Sequence, residues 1–236
     1  MSIKDRAIDT PPTKAPRPIR SYVIRGGRLT ASQRKAIDAH WKDYVIEYQE
    51  QILELESVFQ NKSDLVLEIG FGMGDSLLEM ATSTPSKNFL GVEVHKPGIG
   101  KLLQGISRNG LINLRVISHD AKEVLLNCLK DESLCKIQIF FPDPWHKKRH
   151  YKRRLIQDDF VTLLARRLKS GGELHLATDW EPYAEHMLEV LDRCESLQNK
   201  NGIGQYSAIG DRPVTKFEKR GKKLGHGVRD LLYYKP

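Results

Sequence analysis

Cysteine is scarce in this 236-residue sequence, and its three copies follow no pattern. Cys128, Cys135 and Cys194 form an odd set without a C-x-x-C pair. That favours free thiols in a reducing compartment over a disulfide framework. His119, His146 and His150 stand at no metal-ligand spacing with cysteine, so no metal is expected. Long uncharged apolar runs are missing, and the N-terminus has no apolar signal core. The expectation is a cytoplasmic protein with no membrane partner. Acids are in deficit: 38 Lys and Arg face 30 Asp and Glu, a net charge of +8. A basic balance suits a polyanionic partner such as nucleic acid, because phosphate contacts release counterions. The deficit is concentrated. Between His146 and Arg154 there is no acid, while Lys147, Lys148, Arg149, Lys152, Arg153 and Arg154 supply six cations.

The length suits one α/β domain with a sizeable core. Residues 1–20 carry Pro11, Pro12, Pro16 and Pro18 among basic and small polar residues and read as a flexible arm. Residues 21–236 read as a single domain, with a monomer favoured over an oligomer. Thr30 and Gln33 have capping-box spacing. Ala36, Ile37, His40, Trp41, Tyr44, Val45 and Tyr48 then recur at helical spacing, which predicts one long helix. From Asp64 onward, short apolar runs at 65–69, 88–94, 114–117, 136–141 and 173–178 alternate with helical periods at 75–81, 98–109, 121–129 and 158–168. Gly171-Gly172 reads as a turn into the fifth run, Pro182 as the first turn of a further helix, and 228–234 as a last strand. Such alternation implies a mostly parallel sheet with helices on both faces.

In sheets of this kind ligands sit beyond the carboxyl ends of the strands. After the first run come Glu68-Ile69-Gly70-Phe71-Gly72-Met73-Gly74-Asp75. Glycines permit a tight turn and a close ligand approach, with Gly70 first among them, although many such turns only pack a helix against a sheet. Glu93 ends the second run where a carboxylate can accept both hydroxyls of a ribose. Asp120 follows the third run and can accept from an adenine amino group, cap the next helix, or do both. A nicotinamide cofactor would seat its pyrophosphate on the glycine turn. Glu68 and Asp75 flank that turn and would repel phosphates. They suit the ammonium and sulfonium of S-adenosylmethionine.

The fourth run opens into Phe141-Pro142-Asp143-Pro144-Trp145-His146-Lys147-Lys148-Arg149-His150. Two prolines fix φ and restrict the residues before them, so the Asp143 carboxylate is held in place. This stretch, with 68–74, Gly91-Val92-Glu93-Val94-His95, Ala177-Thr178-Asp179-Trp180 and Thr215-Lys216-Phe217-Glu218, resembles the bacterial tRNA (guanine-N7-)-methyltransferase family. The resemblance runs from about Arg25 to the C-terminus. It implies a Rossmann-like class I methyltransferase fold with a mostly parallel seven-stranded sheet. It also implies transfer of a methyl group from S-adenosylmethionine to N7 of a guanine at position 46, in the variable region of tRNA.

By motif position the resemblance makes Glu68, Glu93, Asp120 and Asp143 cofactor contacts, and Asp143 the catalytic residue. Lys147, Asp179, Thr215, Lys216, Phe217 and Glu218 become substrate contacts. Arg149, His150, Tyr151, Lys152, Arg153 and Arg154 become an RNA-binding segment. Three other readings stay open. The acid between prolines is close to the signature of exocyclic-amine methyltransferases. A catalytically silent RNA-binding module would use the same basic burst, and a nicotinamide oxidoreductase would use the same glycines.

Overall fold

The alternating apolar runs lie side by side in one sheet. A computed structural model describes residues 20–23, 27–208, 212–213, 218 and 227–236. Among these, eight strands are ordered β1-β4-β3-β2-β5-β6-β8-β7. They are β1 (Val45–Ile46), β2 (Leu65–Ile69), β3 (Asn88–Val92), β4 (Leu114–Ile117), β5 (Leu134–Phe140), β6 (Leu168–Thr178), β7 (Gln198–Asn199) and β8 (Arg229–Tyr234). Pairs from β1 to β6 are parallel, and β8 is antiparallel to both β6 and β7. The helices are α1 (Ala31–Tyr44), α2 (Leu55–Phe59), α3 (Asp75–Ser83), α4 (Lys96–Asn109), α5 (Ala121–Asn127), α6 (Asp158–Arg167) and α7 (Glu181–Asp192), with a 3-10 helix at Lys148–Arg153.

The count exceeds the expected seven strands by one, and the first helix explains it. Thr30 does start α1 with a capping box: the Gln33 amide donates to Thr30 Oγ1 at 3.2 Å, and the Thr30 amide donates to Gln33 Oε1 at 2.9 Å. The helix stops at Tyr44, however, short of the expected Tyr48. Val45 and Ile46 pair instead with Val116 and Ile117 at the edge of β4. β-branched residues favour the extended backbone, and the open strand edge gives their amides a partner.

Side-chain alternation sorts the core into two layers. Leu65, Leu67, Ile137, Ile139, Leu174 and Leu176 pack against Val124 of α5, Phe160 of α6 and Met187 of α7. Val66, Phe89 and Val116 face the other way, against Ala36 of α1, Leu77 of α3 and Leu103 of α4. On β5, β6 and β8 that second face changes character. Gln138, His175 and Asp230 are buried polar groups there. Glu68, Gln138 and His175 sit in register on adjacent strands, forming a polar row across the sheet.

The chain runs from β2 through β3 to β4 on one side and returns to β5 and β6 on the other. The reversal opens a crevice at the carboxyl ends of β2 and β5.

Candidate active site

The glycine turn after β2 is built from left-handed residues: φ is +74° at Gly70, +58° at Gly72 and +75° at Gly74. Side chains at Gly70 and Gly72 would be strained in that region, and the space above both is open. From below, α4 presses on the turn. A Cβ at Gly98 would stand 1.8 Å from the Gly72 carbonyl oxygen. Glu93 ties the turn to the end of β3. Its Oε2 accepts from the Gly72 amide at 2.9 Å, and its Oε1 accepts from the amides of Val94 at 2.7 Å and His95 at 3.0 Å.

A cleft of about 310 Å³ opens at this point. Gly70, Glu93, His95 and His119 line one part, Pro142 and Asp143 another, and Ser21, Tyr22 and Val23 cross beside them. Among the described residues the lining holds two carboxylates and no Lys or Arg. Glu68 is buried next to it, with Oε2 lacking a hydrogen-bond partner among the described residues. Burial, reinforced by the Glu93 charge, pushes the Glu68 carboxyl up to about 8. A cation-bearing ligand would relieve both penalties. The open turn, the orphaned carboxyl oxygen and the acidic lining therefore fit S-adenosylmethionine and do not fit a pyrophosphate.

Asp120 has the expected capping role, its Oδ1 accepting from the Lys122 amide at 2.8 Å and the Glu123 amide at 3.4 Å. Its neighbours His119 and Ala121 line the cleft, while Asp120 itself lines a smaller cavity beside it with Ser21, Arg153 and Arg154.

Asp143 is exposed at the cleft, two residues past the Phe141 amide that bonds the Ala177 carbonyl at 2.7 Å. Phe141 and Trp145 bracket the Pro-Asp-Pro unit with φ of +53° and +48°. Non-glycine residues in this region cost free energy, and the surrounding contacts must hold them there. The contacts are visible. Asp143 Oδ1 accepts from the Trp145 amide at 3.2 Å, and the Trp145 indole NH donates to the Ser21 carbonyl at 3.1 Å. Trp145 thus pins the segment that crosses the cleft.

Residues 62–231 match a family model described as "Putative methyltransferase". A tRNA (guanine-N(7)-)-methyltransferase from Shewanella amazonensis is 54% identical over 92% of each chain. One from Marinobacter nauticus is 50% identical over 100% of this chain and 99% of its own. The chain belongs to the tRNA (guanine-N(7)-)-methyltransferase family. In fold it is similar to the 16S rRNA methyltransferase KamB (TM-score 0.59, 15% identity, 79% of this chain and 95% of the other). It is likewise similar to the aminoglycoside resistance methyltransferase NpmB1 (TM-score 0.56, 16% identity, 79% and 95%).

In this member of the family, the basic stretch after Trp145 forms the 3-10 helix, with Lys147 at its N-cap. Lys147, Lys148, Arg149 and Lys152 are exposed, and His150, Tyr151 and Arg153 are half-buried. His150 approaches the Trp145 ring edge-on at 5.7 Å, and Arg153 lies over it at 5.0 Å. Partial burial, followed by the charges of Arg149, Arg153 and Lys147, holds the His150 imidazole below its ordinary pKa.

Arg154 departs from the expectation. It is 3% exposed, so its guanidinium is out of reach of a surface phosphate. Nε donates to the Pro144 carbonyl at 3.1 Å, and the group lies over the rings of Tyr151 at 3.7 Å and Tyr183 at 4.8 Å. These contacts brace the turn behind Asp143, a buried position in place of the exposed one expected of an RNA contact. An apolar residue, Leu155, follows it directly, and that was the only sequence sign of an inward turn.

Asp179 is half-buried at the end of β6. The N-cap of α7 is Trp180, without a side-chain cap, so Asp179 is free of the capping role. Among the described residues nothing donates a hydrogen bond to its carboxylate. Thr215, Lys216 and Phe217 lie outside the described residues. Glu218 is described and is fully buried. Its Oε2 accepts from Arg212 at 2.5 Å, a position unlike that of an exposed base reader. Sequence reasoning missed Tyr22, His95 and Arg212, and also the pinning role of Trp145. Tyr22 and Arg212 stand in no recognisable motif, whereas His95 and Trp145 lie within motifs that drew attention to their neighbours. His175 between Leu174 and Leu176, and Gln138 between Ile137 and Ile139, were the visible signs of buried polar groups on the sheet.

Proposed function

We propose that the cleft binds S-adenosylmethionine and that the protein transfers its methyl group to N7 of a guanine in tRNA, at position 46 of the variable region, giving 7-methylguanosine. The observation that carries this reading is a cleft whose described lining holds two carboxylates and no Lys or Arg, opening directly beside an exposed cationic loop. Bound there, the cofactor supplies an electrophilic methyl group. Glu68 and the glycine turn would face its cationic portion, Glu93 its ribose, and the Asp120 region its adenine.

Guanine N7 has a lone pair and no proton, so no residue needs to act as a general base. The work left to the protein is alignment of two reactants, which can remove several kcal/mol from a barrier. Asp143, fixed by two prolines and two strained neighbours, stabilises the positive charge that develops on the guanine imidazole ring. Asp179 accepts from the Watson–Crick donors of the base. Lys147, Lys148, Arg149, Lys152 and Arg153 hold tRNA phosphates. The enzyme acts in the cytoplasm as a monomer. Among the described residues no helix is long and apolar enough to cross a membrane, and no cluster of His, Cys, Asp or Glu could hold a metal ion.

The test is methyl transfer from radiolabelled cofactor to unmodified tRNA, followed by nucleoside analysis and mapping of the labelled base. Label in 7-methylguanosine is expected. Label on an exocyclic amine overturns the N7 assignment.

A further inference from the structure

The polar half of the sheet face needs a cover, since buried polar groups without partners are costly. Arg212 supplies it. Its Nε and Nη2 donate to Asp230 Oδ1 at 2.6 Å and Oδ2 at 2.9 Å, a bidentate fork onto β8. Its Nη1 donates to Glu218 Oε2 at 2.5 Å. His175 Nε2 bonds the same Asp230 Oδ1 at 2.8 Å. All four side chains are almost wholly buried. The guanidinium also lies 5.5 Å from the ring centre of Phe140 and 5.7 Å from that of Phe141. Those two residues end β5 and lead directly into Pro142 and Asp143.

A stability role alone would be filled as well by packed apolar residues, which often match or exceed a buried ion pair. What the network adds is a fixed geometry between parts of the chain far apart in sequence. Arg212 and Glu218 bracket Thr215, Lys216 and Phe217 in sequence, the residues expected at the substrate. The fork joins that bracket to β8, and the stacking joins it to the strand that delivers Asp143. Burial by itself would lower the Arg212 pKa, and the hydrogen bonds of Asp230 and Glu218 reverse this and raise it, so the cation persists.

We propose that Arg212 is a positioning residue that ties Glu218 to β8 and to the strand carrying Asp143, and that Glu218 serves this lock and does not read the target base. The proposal rests on the methyl-transfer function stated above. Its consequence is a split in kinetic effects: base placement sets kcat, whereas tRNA capture rests on the exposed loop and cofactor capture on the glycine turn.

The discriminating experiment compares Glu218→Gln with Glu218→Ala. Gln keeps an acceptor for Arg212 but has no charge for the guanine donors. If Glu218 is an anchor, Glu218→Gln lowers kcat less than about tenfold and Glu218→Ala lowers it on the order of a hundredfold, the scale of one broken buried pair. The Kd for S-adenosylmethionine and the KM for tRNA then stay within about threefold of the parent. Equal losses for Gln and Ala overturn the anchoring role. Arg212→Lys, which keeps the charge and loses the fork, is combined with Glu218→Gln as a second arm. Losses that multiply between the two changes overturn the proposal, and a double variant no worse than the poorer single one supports it. Cofactor-binding stoichiometry by calorimetry normalises for folded protein. If the parent itself failed to methylate guanine N7, the functional reading would fall, whatever the variants did.

Discussion

Glu68 gives the most direct physical test of the cofactor cleft. Its carboxyl is fully buried, and burial with the neighbouring Glu93 charge lifts it from 4.5 to about 8. An acid raised in the folded state makes that state bind more protons than the unfolded chain. Stability is then greatest below the unfolded value and falls as pH rises through the folded one. The displacement corresponds to roughly 5 kcal/mol once titration is complete. Glu68→Gln removes the titration while keeping the shape. Between about pH 6 and pH 8 the unfolded carboxyl is ionised and the folded one largely is not, so the parent loses roughly 2–3 kcal/mol relative to the variant. In a chain of this length that is a relative fall in Tm of roughly 4–12 °C, read by calorimetric melts at both pH values. Cofactor binding supplies the complementary signal. At about pH 7 roughly nine-tenths of Glu68 is protonated in the free protein, and a cation placed beside it favours ionisation. Titration calorimetry in buffers of different ionisation enthalpy should therefore show nearly one proton released per cofactor bound, and none for Glu68→Gln. Parallel pH–Tm curves for parent and variant, together with no proton release, would refute the reasoning.

Asp143→Ala should lower kcat by about 10²–10³-fold, the scale of losing one oriented charge-stabilising group, with tRNA affinity unchanged by filter binding. Unchanged turnover would remove Asp143 from the chemistry. Lys148→Ala with Arg149→Ala should weaken tRNA binding and reduce the slope of log K against log salt by about 0.7–0.9 for each phosphate that is no longer neutralised. Arg154→Gln should leave that slope alone and lower Tm instead, because Arg154 is buried against Pro144, Tyr151 and Tyr183. A reduced slope in Arg154→Gln would return it to the RNA surface. Gly98→Ala drives a methyl into the Gly72 carbonyl. It should cost about 1–3 kcal/mol in denaturant melts and weaken cofactor binding by at least about tenfold.

Local patterns were legible where one neighbourhood in the chain contains the whole cause. The capping box at Thr30 needs only four consecutive residues, and it formed with both of its hydrogen bonds. The glycine turn needs only residues that tolerate positive φ, and all three glycines have it. The runs at 65–69 and 114–117 kept their bounds, since their apolar residues pack into the core on both faces of the sheet. Bounds failed where a partner elsewhere competes with the local preference. Val45 and Ile46 continue a helical pattern, yet the free edge of β4 drew them into a strand.

The same division runs through the site. Sequence by itself determined the alternation of strands and helices, the acidic glycine turn, the proline-held Asp143 and the cationic burst, because each is a property of contiguous residues. Tertiary structure alone decided which burst residue faces inward, as Arg154 does, and which substrate-motif acid is buried, as Glu218 is in its pair with Arg212. It alone brought Ser21 to Trp145 across 124 positions, and Arg212, Glu218 and Asp230 onto the polar face beneath Phe140. The physical reason is that charge and hydrogen-bonding capacity are written in the residue, whereas desolvation and the choice of partner depend on which distant segments fold against it.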